Sequence, residues 1–346
     1  MGFNLAFYFS LFAVIALVLI PFLGIAAGLH VIFGIIIPYL AILTFFLGLI
    51  YRIVKWARTP VPYRIPTTCG QNKSLPWIKR GIIDKVENPA NIWGVIGRMA
   101  LEVLLFRSLF RNLKSELRRD TDYPEGGRLV YWSSKWLWIG AMVFHYAFLT
   151  VLIRHLRFFT EPVIFFVPLL ESIDSFLQLY VPAVYLSGIV LLVALIYLML
   201  RRVFDPKICY ISLTADYFPL LLILGIGFSG VLMRYFYRVD IIAVKELTIG
   251  LATLHPKIPE QQIGLIFYIH LFLVSTLLVY FPFSKLVHMA GIFFSVTRNM
   301  ANNNRWVRHV NPWEYTPRLF SYMEQEDMFR QQMKKAGIPL EKDIEE

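Results

Sequence analysis

Six stretches of the chain stay apolar for long enough to cross a bilayer: residues 3–23, 29–51, 134–159, 181–200, 213–235 and 263–298. A spanning helix needs about 20 mostly apolar residues. Between the second and third runs lies a polar insert, 56–133, too charged to enter lipid, with the turn-rich stretch RTPVPYRIPTTCGQNKSLPWIKR near its start. Within it, residues 92–119 predict an amphipathic helix, where Trp93, Ile96, Leu101, Leu104, Leu105 and Phe110 alternate with Arg98, Arg107, Arg111, Lys114, Arg118 and Arg119. A basic amphipathic helix beside a membrane lies in the interface or docks a partner. The pattern predicts an all-α integral membrane protein: two N-terminal spanning helices (1–55), a cytoplasmic insert (56–133), a four-helix membrane domain (134–298) and a polar cytoplasmic tail (299–346).

Composition and charge fix the orientation. Hydrophobic residues make up 57% of the 346 positions, which places the chain among polytopic membrane proteins. The net charge of +11 then reads as loops that set topology, not as a nucleic-acid surface. If the first helix starts inside, the inner segments 51–135, 201–207 and 285–346 hold 16, 3 and 9 Lys/Arg, 28 of the 34. Only Arg154, Arg157, Arg234, Arg238, Lys245 and Lys257 fall elsewhere. Positive loops stay inside, so a multi-pass protein of the cytoplasmic membrane with both termini cytoplasmic is expected. The first run lacks a basic n-region, so it is expected to persist as a spanning helix and not to be cleaved as a signal peptide. The two cysteines, Cys69 and Cys209, belong to no C-x-x-C arrangement. That excludes the usual attachment motif for c-type haem and a cysteine-ligated iron–sulfur cluster within this chain. Both fall on the inner side and are expected to be free thiols.

Histidine supplies the candidate chemistry. The run 263–298 carries His270 and His288, 18 residues apart, or five turns if the helix is continuous. The run 134–159 carries His145 and His155. An imidazole in a membrane is costly and is read as functional. Four of them, two on each of two antiparallel helices, suit two haem irons with one axial ligand from each helix. Antiparallel packing nests them as His155 with His270 and His145 with His288. The spacings do not match directly: ten residues rise about 15 Å and 18 rise about 27 Å, and the first pair is rotated by about 80°. A kink at Pro282, between the ligands of the last helix, is expected to absorb the difference. His30 has no mate in its helix and is expected to be interfacial or packed. A transporter with a histidine proton relay would want charged or broken helices at mid-depth.

The H-x9-H pair in one helix with H-x17-H in the last, and the run HLFLVSTLLVYFPFSKLVH (270–288), resemble the gamma subunit of respiratory nitrate reductase, a dihaem cytochrome b with a four- to five-helix core. Further stretches, PYRIPTTCGQNKSLPWIK (62–79), RMALEVLLFRSLFRN (98–112), RHLRFF (154–159) and RHVNPW (308–313), resemble the DsrM family and its archaeal counterpart HmeC, in the Hdr-like menaquinol-oxidising complex. The resemblance implies two haem b groups on the four histidines and menaquinol as electron donor. It further implies a cytoplasmic iron–sulfur partner resembling heterodisulfide reductase (DsrK-like), a periplasmic multihaem cytochrome among other subunits, and a link to sulfate/sulfite respiration. A nitrate-reductase-like or heterodisulfide reductase complex is the alternative setting. Beside the outer pair, Arg154 and Arg157 are candidates for haem propionate or quinone contact, and Glu161 for accepting a quinol proton. No catalytic site for a soluble substrate is expected in the chain itself.

Overall fold

Every backbone N–H and C=O at membrane depth must be bonded internally, so apolar runs of this length become helices. The computed structural model describes residues 4–59, 81–118, 127–175, 183–303, 307 and 318–341. The chain opens with α1 (Leu5–Ala26) and α2 (Ile37–Ala57), the latter continuous with a π-helical turn over Ile32–Ile36. The insert holds α3 (Ile82–Glu87), α4 (Ile92–Leu105), the single turn α5 (Arg107–Phe110) and the strands β1 (Leu113–Arg118) and β2 (Arg128–Ser133). Then come α6 (Lys135–His155), α7 (Phe166–Asp174), α8 (Leu186–Phe204), α9 (Pro206–Ile211), α10 (Thr214–Tyr235), α11 (Ile241–Ala252) and α12 (Leu265–Tyr280). Short turns α13 (His288–Gly291) and α14 (Val296–Asn299) precede α15 (Tyr322–Lys335) in the tail. Six of these, α1, α2, α6, α8, α10 and α12, with their short extensions, are long and apolar enough to cross a membrane. Helix α1 runs on through Pro21 to Ala26, beyond the end its sequence suggested.

Helices α10 and α12 form the centre of the bundle. Helix α12 packs on α1, α2 and α10, while α10 packs on α1, α8 and α12, and α6 packs on α8. Their shared cores are apolar: Val14, Met199, Tyr217, Leu222 and Leu273 in one, Ala147, Leu191, Leu195 and Ile223 in the other. Helices α6 and α12 share no comparably packed backbone interface. They face each other through side chains. The end of the bundle opposite the insert is closed by α7 and α11; Thr248 of α11 donates to the carbonyl of Phe158 (2.5 Å). At 12 residues α11 is too short to span, and its apolar side packs on Phe33, Phe267 and Tyr268.

The insert departs from the single helix expected over 92–119. Helix α4 stops at Phe106, which takes the left-handed conformation (φ 48°). Beyond it, Leu113, Ser115 and Leu117 alternate with Lys114, Glu116 and Arg118, a period of two that suits a strand. β1 pairs antiparallel with β2, setting Leu117 against Leu129 and Ser115 against Tyr131. The all-α expectation therefore holds for the membrane part and gives way to a hairpin in the insert.

The polarity of α4 is inverted relative to a soluble domain. Arg98 is buried, and Arg98, Arg107 and Arg111 converge on the carboxylate of Glu87. Ile92, Trp93 and Ile96 are 61%, 76% and 52% exposed. The charges hold the insert together, and the apolar side faces outward. Burial pushes the Glu87 carboxyl up, but hydrogen bonds and charge from Arg107 and Arg111 outweigh it and hold the group below its ordinary value. A lowered carboxyl contributes stability above its unfolded pKa and loses it as pH falls through the folded one. Glu87→Gln should therefore weaken amide-exchange protection over 81–118 at neutral pH, by about 2 kcal/mol. The gap from wild type should close on acidification. A gap that stays constant with pH would contradict the charge assignment.

Cys209, on α9, forms no disulfide among the described residues. Cys69 and Arg119, and the stretches 62–79 and 308–313, lie outside the described residues.

Candidate functional site

The four histidines of the two apolar runs meet as two pairs. The rings of His155 and His270 are nearly parallel, 9° apart, with centroids separated by 6.3 Å. Those of His145 and His288 are 6.1 Å apart and inclined at 81°. The nested pairing expected of antiparallel helices is the one observed.

Local bonding decides which nitrogen of each ring is available. On α6, His145 Nδ1 lies 2.7 Å from the carbonyl of Ala141 and His155 Nδ1 lies 2.6 Å from that of Val151, each one turn back. His288 Nδ1 meets the carbonyl of Lys285 at 2.8 Å. A carbonyl only accepts, so Nδ1 carries the proton in all three and Nε2 keeps its lone pair. His270 reaches the same state by another route. Its Nδ1 is 2.9 Å from Ser229 Oγ, whose own hydrogen goes to the carbonyl of Ile226 at 2.9 Å. A metal-binding imidazole is normally oriented by such a bond from its other nitrogen.

The spacing suits one metal ion per pair. With a metal–nitrogen bond of about 2 Å and a ring centroid about 1 Å behind the nitrogen, two imidazoles on opposite sides of an ion have centroids about 6 Å apart. Among the described residues no group of three or more His, Cys, Asp or Glu comes together. Any ion gripped here by two imidazoles would take its remaining ligands from a group the protein does not supply.

Helix α10 contributes two residues that the sequence reading missed. Besides Ser229, Gly230 faces His270, and a Cβ there would lie 3.6 Å from the ring. A Ser-Gly step in the middle of a spanning helix is the only signal that could have pointed to them. His145 is flanked by the rings of Phe144 and Phe106, each 4.9 Å away. Phe106 is placed there by the end of α4, which is latched to α6: Trp138 Nε1 donates to the carbonyl of Leu105 (2.7 Å) and the Tyr146 hydroxyl to that of Leu104 (2.8 Å). Glu102 accepts from the Ser108 amide (3.0 Å) and pairs with Arg298 of α14 (3.9 Å). The insert and the segment after the last helix thus meet beside His145.

His288 reaches its partner by a route different from the one expected. The run 263–298 is not one helix with both histidines on one face. Helix α12 ends at Tyr280, a 3₁₀ turn covers Phe281–Phe283, Ser284 is extended, and His288 opens the separate turn α13. Pro282 cannot donate to the helical ladder, so the chain breaks at the place where a kink was expected. The orphaned carbonyl of Pro282 accepts from Arg52 Nε of α2 (3.0 Å).

The polar candidates near His155 are already engaged. Arg154 Nη1 bonds Asp174 and Ser187 (2.5 and 2.9 Å). Arg157 holds both oxygens of Glu171 (2.8 and 2.9 Å). Glu161 pairs with Lys245. His30 lies against Tyr268, 5.4 Å between ring centroids, and belongs to neither pair.

The family model described as nitrate reductase gamma subunit matches residues 90–304. A protein of Archaeoglobus fulgidus, named Hdr-like menaquinol oxidoreductase cytochrome b-like subunit, is 48% identical over 287 residues, 82% of this chain and 84% of that one. The protein of the same name from Archaeoglobus profundus is 42% identical over 286 residues, 82% of this chain and 83% of that one.

Proposed function

The chain belongs to the nitrate reductase gamma subunit family, alongside the Hdr-like menaquinol oxidoreductase cytochrome b-like subunits, and from that premise we propose that it is a two-haem cytochrome b moving electrons from menaquinol to a cytoplasmic iron–sulfur subunit. The observation that carries the reading is the pairing of four imidazoles, each with Nδ1 bonded and Nε2 available, at centroid separations of 6.3 and 6.1 Å. His155 and His270 would hold one haem, His145 and His288 the other, with the porphyrin supplying the ligands that the protein lacks. Bound there, haem would supply one-electron carriers; the two α6 histidines that would hold them, His145 and His155, are separated by about 15 Å of helix rise.

The chain's own residues do the rest. The α6 carbonyls and Ser229 fix the tautomers. Phe106, Phe144 and the latched end of α4 cover the His145 pair. Menaquinol would be oxidised beside the outer pair, His155 and His270, where its two protons leave on the outer side. Glu161, exposed and paired with Lys245, is the carboxylate we assign to accept a quinol proton. Arg154, through its remaining nitrogens, and Arg157 are the candidate contacts for quinone or propionate. Both termini lie in the cytoplasm on this reading. The insert and tail form the docking face for a partner resembling heterodisulfide reductase, within a complex that also holds a periplasmic cytochrome and serves sulfate or sulfite respiration. The exposed apolar side of α4, Ile92, Trp93 and Ile96, suits either that partner or the headgroup layer.

Haem content and redox titration of the purified protein test the core of this. Two b-type haems are expected, and their absence from the protein purified with its partners would overturn it. Truncation after residue 303 keeps Arg298 and Asn302, which pack on the insert, and removes the rest of the tail. It should release the iron–sulfur partner on affinity purification while both haems stay. Haem loss with the partner retained would contradict the docking assignment. A nitrate-reductase-type catalytic subunit in the pull-down would favour the alternative setting.

A further inference from the structure

Among the described residues Arg234 has no carboxylate partner. It sits in the last turn of α10, inside a spanning segment. Its Nη2 donates to the carbonyl of Ala183 (3.1 Å) and its guanidinium lies over the ring of Tyr185, 3.9 Å from the centroid. Arg154 lies over the same ring at 3.3 Å. The one carboxylate in contact with the cluster, Asp174, is buried and already holds Arg154 Nη1, the Ser187 amide (2.7 Å) and the Ser187 hydroxyl (2.6 Å). Two guanidiniums and one carboxylate leave an excess positive charge. The Nε of each arginine is buried without an acceptor.

A partly buried cation without a carboxylate partner is costly and calls for an anion close by. The cluster stands next to the outer histidine pair. Arg154 directly precedes His155. Arg234 is four residues beyond Gly230, which faces His270, and residues four apart share a helix face. Arg157, the other candidate from the sequence, is committed to Glu171.

We propose that Arg234 and Arg154, stacked on Tyr185, clamp a carboxylate of the group held between His155 and His270: a propionate of the outer haem. This rests on the haem reading above. Arginine suits the task because its planar fork matches a carboxylate. Tyr185 holds the two like charges in place and offers each a cation–π contact. The clamp also sets the redox poise of the site, since a fixed positive charge favours the reduced haem.

The test is a redox titration of the full chain in nanodiscs. The outer couple is identified as the one lost in His155→Ala. In Arg234→Gln both haems should remain, with the reduction equilibrium of the outer one shifted about tenfold toward the oxidised form, about 59 mV lower for one electron. The inner couple should not move, and Arg234→Lys should restore most of the shift. If Arg234→Gln does not fold, Asp174→Asn serves instead, with the opposite sign: removing the negative charge should raise the outer potential. Unchanged outer potentials in these variants would overturn the clamp and leave the two-haem reading standing, as would a rise in the KM for quinol with both potentials fixed. A wild type without haem would remove both.

Discussion

Replacing His155 with alanine is expected to halve the haem content and leave the second haem spectrally intact. The geometry makes a sharper statement than the loss alone. His155 faces His270 and His145 faces His288, at 6.3 and 6.1 Å. Variants of one pair should therefore remove the same haem, and variants of different pairs should remove different ones. The His155→Ala/His270→Ala double variant should lose no more than either single variant. The His155→Ala/His288→Ala double variant should lose both haems. Residues that act on one ligand are non-additive in this sense, and residues at separate sites add. Haem extraction and a redox titration read the result directly. Two haems retained in His155→Ala would mean that its ring is a packed polar group. A double variant within one pair that loses both haems would mean that the pairing is crossed. Ser229→Ala is a milder probe. It removes the partner of His270 Nδ1 and should weaken retention of the outer haem by about 10- to 100-fold, as loss of an orienting partner does at metal sites.

The spanning helices were legible because their signal is crude: twenty apolar residues in a row have few other fates. The histidine pairs were legible for the complementary reason, since each ring stands in a run that is otherwise mostly apolar. What escaped depended on geometry between segments. The basic residues of 92–119 suggest the polar face of an amphipathic helix that lies in the interface or docks a partner, but Arg98, Arg107 and Arg111 turn inward onto Glu87, a residue outside that stretch. The strand at Leu113–Arg118 carries only three alternations and needs β2, across nine intervening residues, to exist. Ser229 and Gly230 are unremarkable until α10 is packed against α12. Arg154, Arg157 and Glu161 lie close to His155 in sequence, but their partners Asp174, Glu171 and Lys245 come from elements that hydropathy alone leaves as loops. The mismatch between 10 and 18 residues pointed to a kink at Pro282. Its outcome, a full break with a carbonyl capped from another helix, could not be deduced from α12 alone.

That break leads to the second large effect: Gly48→Leu, far from any histidine in sequence, should remove the inner haem and spare the outer one. A Cβ at position 48 would lie 2.7 and 2.8 Å from the ring carbons of Pro282, closer than real contacts allow. The proline ring cannot rotate away, so the segment carrying it must move. Gly48 is one member of a stripe. Arg52, four residues on, caps the Pro282 carbonyl. Trp56, four further, packs 3.4 Å from where a Cβ on Gly291 would sit and 5.7 Å, between ring centroids, from Phe294. Helix α2 thus tracks the broken end of α12 from Pro282 to the turn that presents His288, and Lys285 ties the same end to Asp216 of α10 (2.7 Å). The family match begins at residue 90, so this support comes from outside the matched region. Overpacking a core site costs about 1–3 kcal/mol, little against the whole bundle but enough to displace a ligand that sits on an isolated turn. His270 lies within the continuous part of α12, held by Ser229, and should keep its haem. Arg52→Leu should act in the same direction and more weakly, by leaving the carbonyl uncapped. Gly48→Ala tests the contact itself, since the Cβ alone makes the clash. If Gly48→Leu folds with both haems at wild-type potentials, α2 is a lipid-facing spectator. Loss of both haems in Gly48→Ala would instead show that α2 supports the bundle as a whole and not the His288 turn in particular.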